Sequence, residues 1–170
     1  FDTKLAFVAL KGRLYTRQQH TLATMDQDGH NVRFYSDGQN LLATPQLSPD
    51  GKKMAYLQYY DNKTAGVRII DFNQKTNKGI KRFSGMSFAP RFSFDGKKLV
   101  FSLTKNGSSA IYTMNVDGGN LMQLTQHKYL DTSPCFSRDG QKIIFTSNRG
   151  YDDEHITEQI YVMNVDGSDV

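Results

Sequence analysis

The sequence lacks the features that define several common protein classes. It has one cysteine, Cys135, so no disulfide forms within the chain, and the lone thiol says little about redox compartment. No apolar run approaches the roughly 20 residues that a membrane-spanning helix needs. The 21 Lys and Arg and 17 Asp and Glu give a net charge of +4 without a basic block. Because nucleic acid usually requires a concentrated cationic face, we expect no such partner.

The first residues show no targeting signal. Phe1-Asp2-Thr3-Lys4 has neither the charged start nor the apolar centre of a signal peptide, and an initiating Met is absent. We expect a mature product or an excerpt from a longer chain whose targeting signal lies elsewhere.

Aromatic residues and glycine are plentiful. Eleven Phe, nine Tyr and 14 Gly suit many short strands joined by tight turns better than a helical bundle. This composition predicts an all-β protein.

One tetrapeptide occurs three times. Copies of Ser-x-Asp-Gly begin at positions 48, 93 and 137, so they lie 45 and 44 residues apart. A proline precedes each copy by three residues, at Pro45, Pro90 and Pro134. A short apolar run follows each copy, at residues 53–57, 98–102 and 142–146. Asp-Gly between two strand-like runs indicates a hairpin, and the period is that of a propeller blade.

A second element recurs at residues 22–26, 67–71, 111–115 and 160–164. Three of these runs lead into another Asp-Gly turn, and residues 73–77 replace that turn in the remaining copy. An alternating outer strand is predicted next, at residues 32–35, 80–83 and 121–124. Each period therefore predicts four strands in meander order.

The predicted fold is all-β: about four consecutive four-stranded antiparallel blades of a propeller, with incomplete terminal blades. The approximate blades are residues 1–41, 42–86, 87–130 and 131–170. The first lacks its Pro-containing strand, and the last stops where its fourth strand is expected. With 14 strands counted in this way, we expect an open fragment of a larger, six-bladed ring.

Several stretches resemble TolB-type propellers. Ser-Pro-Asp-Gly-Lys-Lys at 48–53 and the run 160–168 are similar to the WD40-like repeat of that family. Residues 1–8, 25–29 and 85–93 are similar to further parts of the family's propeller. The acidic insertion at 151–158 and the turn at 71–77 depart from its pattern.

The resemblance implies a periplasmic, non-catalytic binding platform of the Tol-Pal system in Gram-negative bacteria, supporting outer-membrane integrity. An N-terminal α/β domain and the last blades of the family would be absent here. Implied partners are the lipoprotein Pal, other Tol proteins and colicins. The protein would lie peripheral to the outer membrane without inserting into it, and no cofactor is implied.

The resemblance also implies where Pal docks, in the loops just before each blade's first strand. Loops that run into the innermost strands gather around the channel mouth, where several blades can engage one partner. The implied contact residues are Met86, Ser87, Phe88, Ala89 and Pro90 in one loop, and Asp131, Thr132 and Ser133, between Leu130 and Pro134, in the next. Leu42–Pro45 is the equivalent earlier loop.

Plainer roles compete with these assignments. The prolines would serve equally to rigidify the inner strand, and Met86 and Phe88 would equally pack between blades. Cys135 is expected to be a small buried side chain. The acidic cluster 152–155 matches no EF-hand or zinc spacing, and we expect a solvated hairpin tip without metal.

No catalytic constellation is predicted. Gly85–Ala89 is a partial match to a nucleophile elbow, without the final Gly and without a following helix. The four histidines stand in turn or strand-edge contexts with no paired motif, at His20, His30, His127 and His155.

Two other functions stay open. One is the accessory, gating propeller of a prolyl-oligopeptidase-like hydrolase. The other is a propeller lyase acting on pectin fragments, which would need metal-binding His residues on inner strands. Residues 1–8 and 85–93 favour the TolB-type platform over both.

Overall fold

The computed structural model describes residues 3–12, 19–36, 39–62, 64–126, 128–150 and 158–170. The regular structure in these ranges is β-strand, in four antiparallel sheets that follow one another along the chain. The described residues include no helix that is long and apolar enough to cross a membrane. The prediction of an all-β chain is confirmed.

The sheets are numbered in chain order. Sheet 1 contains β1 (Lys4–Lys11), β2 (Gln19–Asp26) and β3 (Arg33–Phe34). Sheet 2 contains β4 (Leu41–Leu47), β5 (Lys53–Tyr59), β6 (Thr64–Asp71) and β7 (Thr76–Ser84). Sheet 3 contains β8 (Met86–Phe92), β9 (Lys98–Lys105), β10 (Ser108–Asn115) and β11 (Met122–Gln123). Sheet 4 contains β12 (Thr132–Phe136), β13 (Lys142–Ser147) and β14 (Gln159–Asn164).

Strands pair in chain order within every sheet, which is the predicted meander. The first strands of neighbouring sheets lie together, because β8 packs against both β4 and β12. We call β4, β8 and β12 the inner strands. Each also lies at the edge of its own sheet.

The core lies between sheets. Because successive side chains of a strand point to opposite faces, each central strand supplies apolar residues to both neighbouring sheets. In β9, Leu99 and Phe101 pack towards sheet 2, whereas Val100 packs towards sheet 4. Three apolar clusters therefore join sheet 1 to sheet 2, sheet 2 to sheet 3, and sheet 3 to sheet 4.

Phe101 illustrates how much one such residue contributes. It is fully buried, and its ring centroid lies 5.2 Å from that of Phe83 in sheet 2 and 6.1 Å from that of Tyr112. Truncating a buried aromatic side chain to alanine costs about 3–5 kcal/mol. The interface between sheets 2 and 3 is thus a main source of stability.

The Ser-x-Asp-Gly tetrapeptide closes the first hairpin of sheets 2, 3 and 4. In sheet 3, Ser93 Oγ donates to Asp95 Oδ1 at 2.6 Å and accepts from the Lys98 N–H at 2.9 Å. Gly96 follows at φ +69°, a conformation that glycine adopts at little cost. The same bonds recur around Ser48 and Ser137, so the predicted turn is confirmed in all three copies.

The turn between β6 and β7 differs from its predicted extent. Asp71 Oδ1 accepts from the N–H groups of Asn73 and Gln74, and Lys75 turns the chain at φ 53°. Pairing resumes at once, with Thr76 opposite Asp71. The predicted turn at 73–77 is therefore too long by its last two residues, which belong to β7.

Candidate partner-binding face

Most of the residues predicted to form docking loops lie in the inner strands themselves, whereas Leu130 and Asp131 precede β12. Residues 86–90 are the first five of β8, and residues 132–134 are the first three of β12. For the residues within β8 and β12 the prediction that they precede the strand is wrong, because each strand begins before its proline; for Asp131 it is right. Met86, Ser87 and Phe88 already pair with β9.

Each inner strand contains a β-bulge at its proline. The pairing register shifts between Phe88 and Arg91 in β8, and the corresponding shifts flank Pro45 in β4 and Pro134 in β12. Proline has no N–H to donate. A bulge at the proline removes it from the regular pairing, so that no acceptor in the neighbouring strand is left without a donor. The spaced prolines thus mark a backbone feature that repeats in three sheets.

The residue before each proline adopts positive φ. The values are 49° at Thr44, 28° at Ala89 and 52° at Ser133, although none of the three is glycine. Thr44 and Ser133 are exposed and Ala89 is half-buried. We call these three residues the bulge face. Non-glycine residues at positive φ are uncommon and cluster at functional sites, which makes this face a candidate site.

The prolines themselves are less accessible. Pro90 and Pro134 are buried and Pro45 is half-buried, which fits their predicted role in rigidifying the inner strand. The backbone of residues 86–88 is described and their side chains are not, so the two roles considered for Met86 and Phe88 stay predictions.

Asp131 has an internal set of partners. Its side chain has 0% exposure, and its carboxylate accepts from Ser147 Oγ at 2.5 Å and from Arg149 Nη2 at 2.6 Å. Arg149 Nε also donates to Ser147 Oγ, at 3.0 Å. These bonds occupy the carboxylate within the protein, so Asp131 presents no charge to a partner.

Thr132 and its neighbours are held to the sheets around them. Thr132 Oγ1 lies 2.8 Å from Thr146 Oγ1 across the β12–β13 pair. The Leu130 N–H donates to Asn148 Oδ1 at 2.8 Å, and the Asp131 N–H donates to the Ser109 carbonyl at 3.3 Å. The segment that leads to Ser133 is therefore fixed by bonds to sheets 3 and 4.

Two inner-strand residues were missed by sequence reasoning. Arg91 Nη1 donates to Gln46 Oε1 at 2.5 Å, which joins β8 to β4. Gln46 and Arg91 each directly follow the proline of their strand. This shared position is the sequence feature that could have predicted their contact. Cys135 occupies the same position in β12 and is half-buried, less buried than expected.

Within the described ranges, no group of three or more His, Cys, Asp or Glu is placed to hold a metal ion. Several residues considered from the sequence lie outside the described residues. They are the cluster 152–155, His127, Phe1 and Asp2.

Consecutive antiparallel meanders whose first strands lie together define a segment of a β-propeller, with its candidate site on the inner strands. The family model described as the TolB beta propeller domain matches residues 1–170. The chain therefore belongs to the TolB beta propeller family, and the resemblance to it is confirmed.

Two curated relatives carry the name Tol-Pal system protein TolB. The one from Gluconobacter oxydans is 37% identical over 125 residues, which are 74% of this chain and 27% of the relative. The one from Rickettsia bellii is 38% identical over 108 residues, which are 64% of this chain and 24% of the relative. The chain spans about a quarter of the length of these relatives.

Among solved structures, TolB from Acinetobacter baumannii matches with a TM-score of 0.80 and 29% identity, covering 95% of this chain and 39% of that one. The tricorn protease, a prolyl endopeptidase and an oligogalacturonate lyase also match, at 18% identity or less. Likeness at this level shows the fold alone.

Proposed function

We propose that this chain is the non-catalytic docking part of a periplasmic Tol-Pal system propeller, and that it receives the lipoprotein Pal on the bulge face. The four sheets are then four consecutive blades of that propeller. The observation that carries the proposal is the repetition of one exposed or half-exposed positive-φ residue directly before the proline of three adjacent inner strands.

The geometry of the inner strands supports a shared docking surface. Thr44, Ala89 and Ser133 each directly precede the proline of their strand, and the three strands lie together. Inner strands are also sheet edges, so each leaves one row of backbone N–H and C=O groups outside its sheet. A protein partner can use such groups together with exposed side chains from several blades.

The names of the relatives support the choice of partner. Both curated relatives are named as Tol-Pal system proteins. The wider proposal also includes other Tol proteins and colicins as partners, a periplasmic location peripheral to the outer membrane, and support of its integrity.

The two alternatives have less support. The match to peptidase propellers concerns the fold alone, so it does not favour an accessory role beside a hydrolase. The lyase hypothesis needs histidines on inner strands, and the sequences of β4, β8 and β12 contain none.

Calorimetric titration of the full-length protein with the periplasmic domain of Pal tests the proposal. We expect micromolar or tighter binding, weakened at least tenfold by Ala89→Arg and by Ser133→Arg. Arginine keeps an unbranched Cβ at these positive-φ positions, so the main change is bulk and charge on the bulge face. Gln141→Arg is the matched control, because Gln141 is exposed in the turn at the opposite end of β12.

A folded wild-type protein that does not bind Pal contradicts the proposal. Equal affinity in wild type, Ala89→Arg and Ser133→Arg would place the contact elsewhere on the propeller and would contradict the assignment of the bulge face.

A further inference from the structure

We infer that Asp131 and Arg149 are positioning residues: their buried ion pair fixes residues 129–133 in the conformation that a partner meets. The inference rests on the proposed function and assigns to Asp131 an indirect role in place of direct contact.

The pair is more deeply buried than an ordinary surface salt bridge. The Asp131 side chain has 0% exposure and that of Arg149 has 17%. Burying a carboxylate is unfavourable unless it is paired and hydrogen-bonded, and here both Arg149 and Ser147 bind it. Removing one partner of such a pair leaves an uncompensated buried group, so the pair is maintained as a unit.

The other sheets show that the fold does not require a charge at this position. Asp131 stands three residues before Pro134, and the residues at this distance from Pro45 and Pro90 are Leu42 and Ser87. Leu42 is 5% exposed and packs in the apolar cluster between sheets 1 and 2. Because an apolar residue satisfies the same place in sheet 2, the ion pair of sheet 4 needs an explanation beyond packing.

The bonds of Arg149 and Asn148 supply that explanation. The guanidinium carbon of Arg149 lies 5.4 Å from the ring centroid of Tyr129, which belongs to the same segment as Asp131. Asn148 Oδ1 accepts the Leu130 N–H between them. Asn148 and Arg149, which follow β13, thus hold residues 129–131, which precede β12.

Arg149 is itself fixed in place. Its guanidinium carbon lies 5.0 Å from the Phe145 ring centroid and 5.3 Å from that of Tyr161. Tyr161 Oη donates to the Arg149 carbonyl oxygen at 2.7 Å. Sheet 4 therefore provides a rigid support, and Thr132 and Ser133 follow directly from the segment that it holds. A binding segment ordered in advance loses less conformational freedom on association.

Asp131→Asn in the full-length protein tests the inference, since it removes the charge with little change of shape. We expect peptides covering residues 129–133 to exchange amide hydrogen at least tenfold faster than in wild type. We also expect affinity for the periplasmic domain of Pal to fall about tenfold. Asp139→Asn is the matched control, because it removes an exposed carboxylate at the other end of sheet 4 and should change neither quantity.

The double variant Asp131→Leu with Arg149→Met separates positioning from stability. Replacing both members of a buried pair by apolar residues is often neutral or stabilising, and leucine is what sheet 2 uses. If the pair only stabilises the fold, this variant binds Pal as wild type does. If the pair positions the segment, exchange at residues 129–133 stays fast and binding stays weak although the melting temperature is restored.

Each outcome decides the inference. Unchanged exchange in residues 129–133, or affinity within twofold of wild type in a folded variant, overturns it. If Asp131→Asn does not fold, the double variant carries the same test. If wild type does not bind Pal, the proposed function fails and the exchange rates alone decide whether the pair holds the segment.

Discussion

At the scale of single residues, the Ser-x-Asp-Gly turn shows why three chemically different side chains recur together. In sheet 3, Ser93 bridges the turn, Asp95 accepts from Ser93 and from the Lys97 N–H, and Gly96 provides the positive φ. The Ser93 hydroxyl, followed by that backbone N–H, lowers the pKa of Asp95 below the ordinary value for aspartate. The same two causes lower the pKa values of Asp50 and Asp139.

These pKa shifts predict a pH dependence of stability. A carboxylate whose pKa is lower in the folded state stabilises the fold above the ordinary aspartate pKa, and this contribution is lost as pH falls through the lowered value. Ser93→Ala removes the largest cause of the shift at Asp95. We expect it to lower the free energy of unfolding by about 1 kcal/mol near neutral pH, and by less as pH falls towards 3. Urea denaturation measured across this range checks both statements.

Ser108→Ala is the control for that measurement, because Ser108 Oγ donates to the Lys105 carbonyl, a group that does not titrate. Its effect should not vary over the same pH range. A Ser93→Ala effect that is equally independent of pH would show that the hydroxyl acts only on the backbone.

At the scale of elements, the junction between β7 and β8 depends on one glycine. Gly85 has φ +111°, and a Cβ built there would overlap the carbonyl oxygen of Thr104 in β9. The first residues of β8 can approach β9 this closely only because Gly85 has no side chain. Gly85 therefore sets the start of an inner strand that carries part of the bulge face.

Gly85→Ala should destabilise the protein by roughly 3 kcal/mol or more, since an alanine there must shift backbone atoms as well as adopt an unfavourable φ. Gly51→Ala is the matched comparison: Gly51 also has positive φ, at +67°, but nothing lies within 4 Å of its added Cβ. It should cost only about 1 kcal/mol. Chemical denaturation of the two variants measures the difference, and equal losses would contradict the proposed overlap.

Sequence patterns predicted the existence and order of the elements better than their ends. The tetrapeptide and the apolar runs gave the meander because both follow from local backbone and side-chain preferences. Residues 86–90 were predicted as a loop before β8 although they belong to it, because Pro90 resembles a boundary in sequence and the bulge that accommodates it depends on pairing with β9. β7 likewise begins at Thr76, where register with β6 decides the turn.

At the scale of the whole molecule, sheets 1 and 4 each expose apolar residues on their outward face, at positions that are buried in sheets 2 and 3. Ile160 in β14 is 74% exposed, whereas Val67 and Ile111 occupy the same position in β6 and β10 and are fully buried. Leu5 in β1 is 43% exposed, and its counterpart Leu99 in β9 is fully buried. Exposed apolar faces of this kind favour association.

The 170-residue chain in isolation should therefore self-associate as its concentration rises, through contact between such faces. Ile160→Lys should reduce this association without loss of fold, since the side chain contributes little to the described core. Light scattering coupled to size-exclusion chromatography measures the mass. A mass that stays monomeric at all concentrations, in wild type and variant alike, would contradict this prediction.

The candidate site was only partly accessible to sequence reasoning. The spaced prolines located the inner strands, and the resemblance to the TolB family pointed to residues around Ala89 and Ser133. The positive φ of those residues depends on the bulge, and the link between Asp131 and Arg149 joins residues 18 positions apart. Neither feature follows from local pattern, because both arise only when the sheets have assembled.

The most direct test of the central claim is a hydrogen-exchange footprint of the full-length protein, measured with and without a saturating periplasmic domain of Pal. We predict protection concentrated in peptides covering residues 42–45, 86–90 and 131–134, with no change at the turns 48–52, 93–97 and 137–141. Protection at those turns, or none at the starts of the inner strands, would contradict the assignment of the bulge face as the docking site.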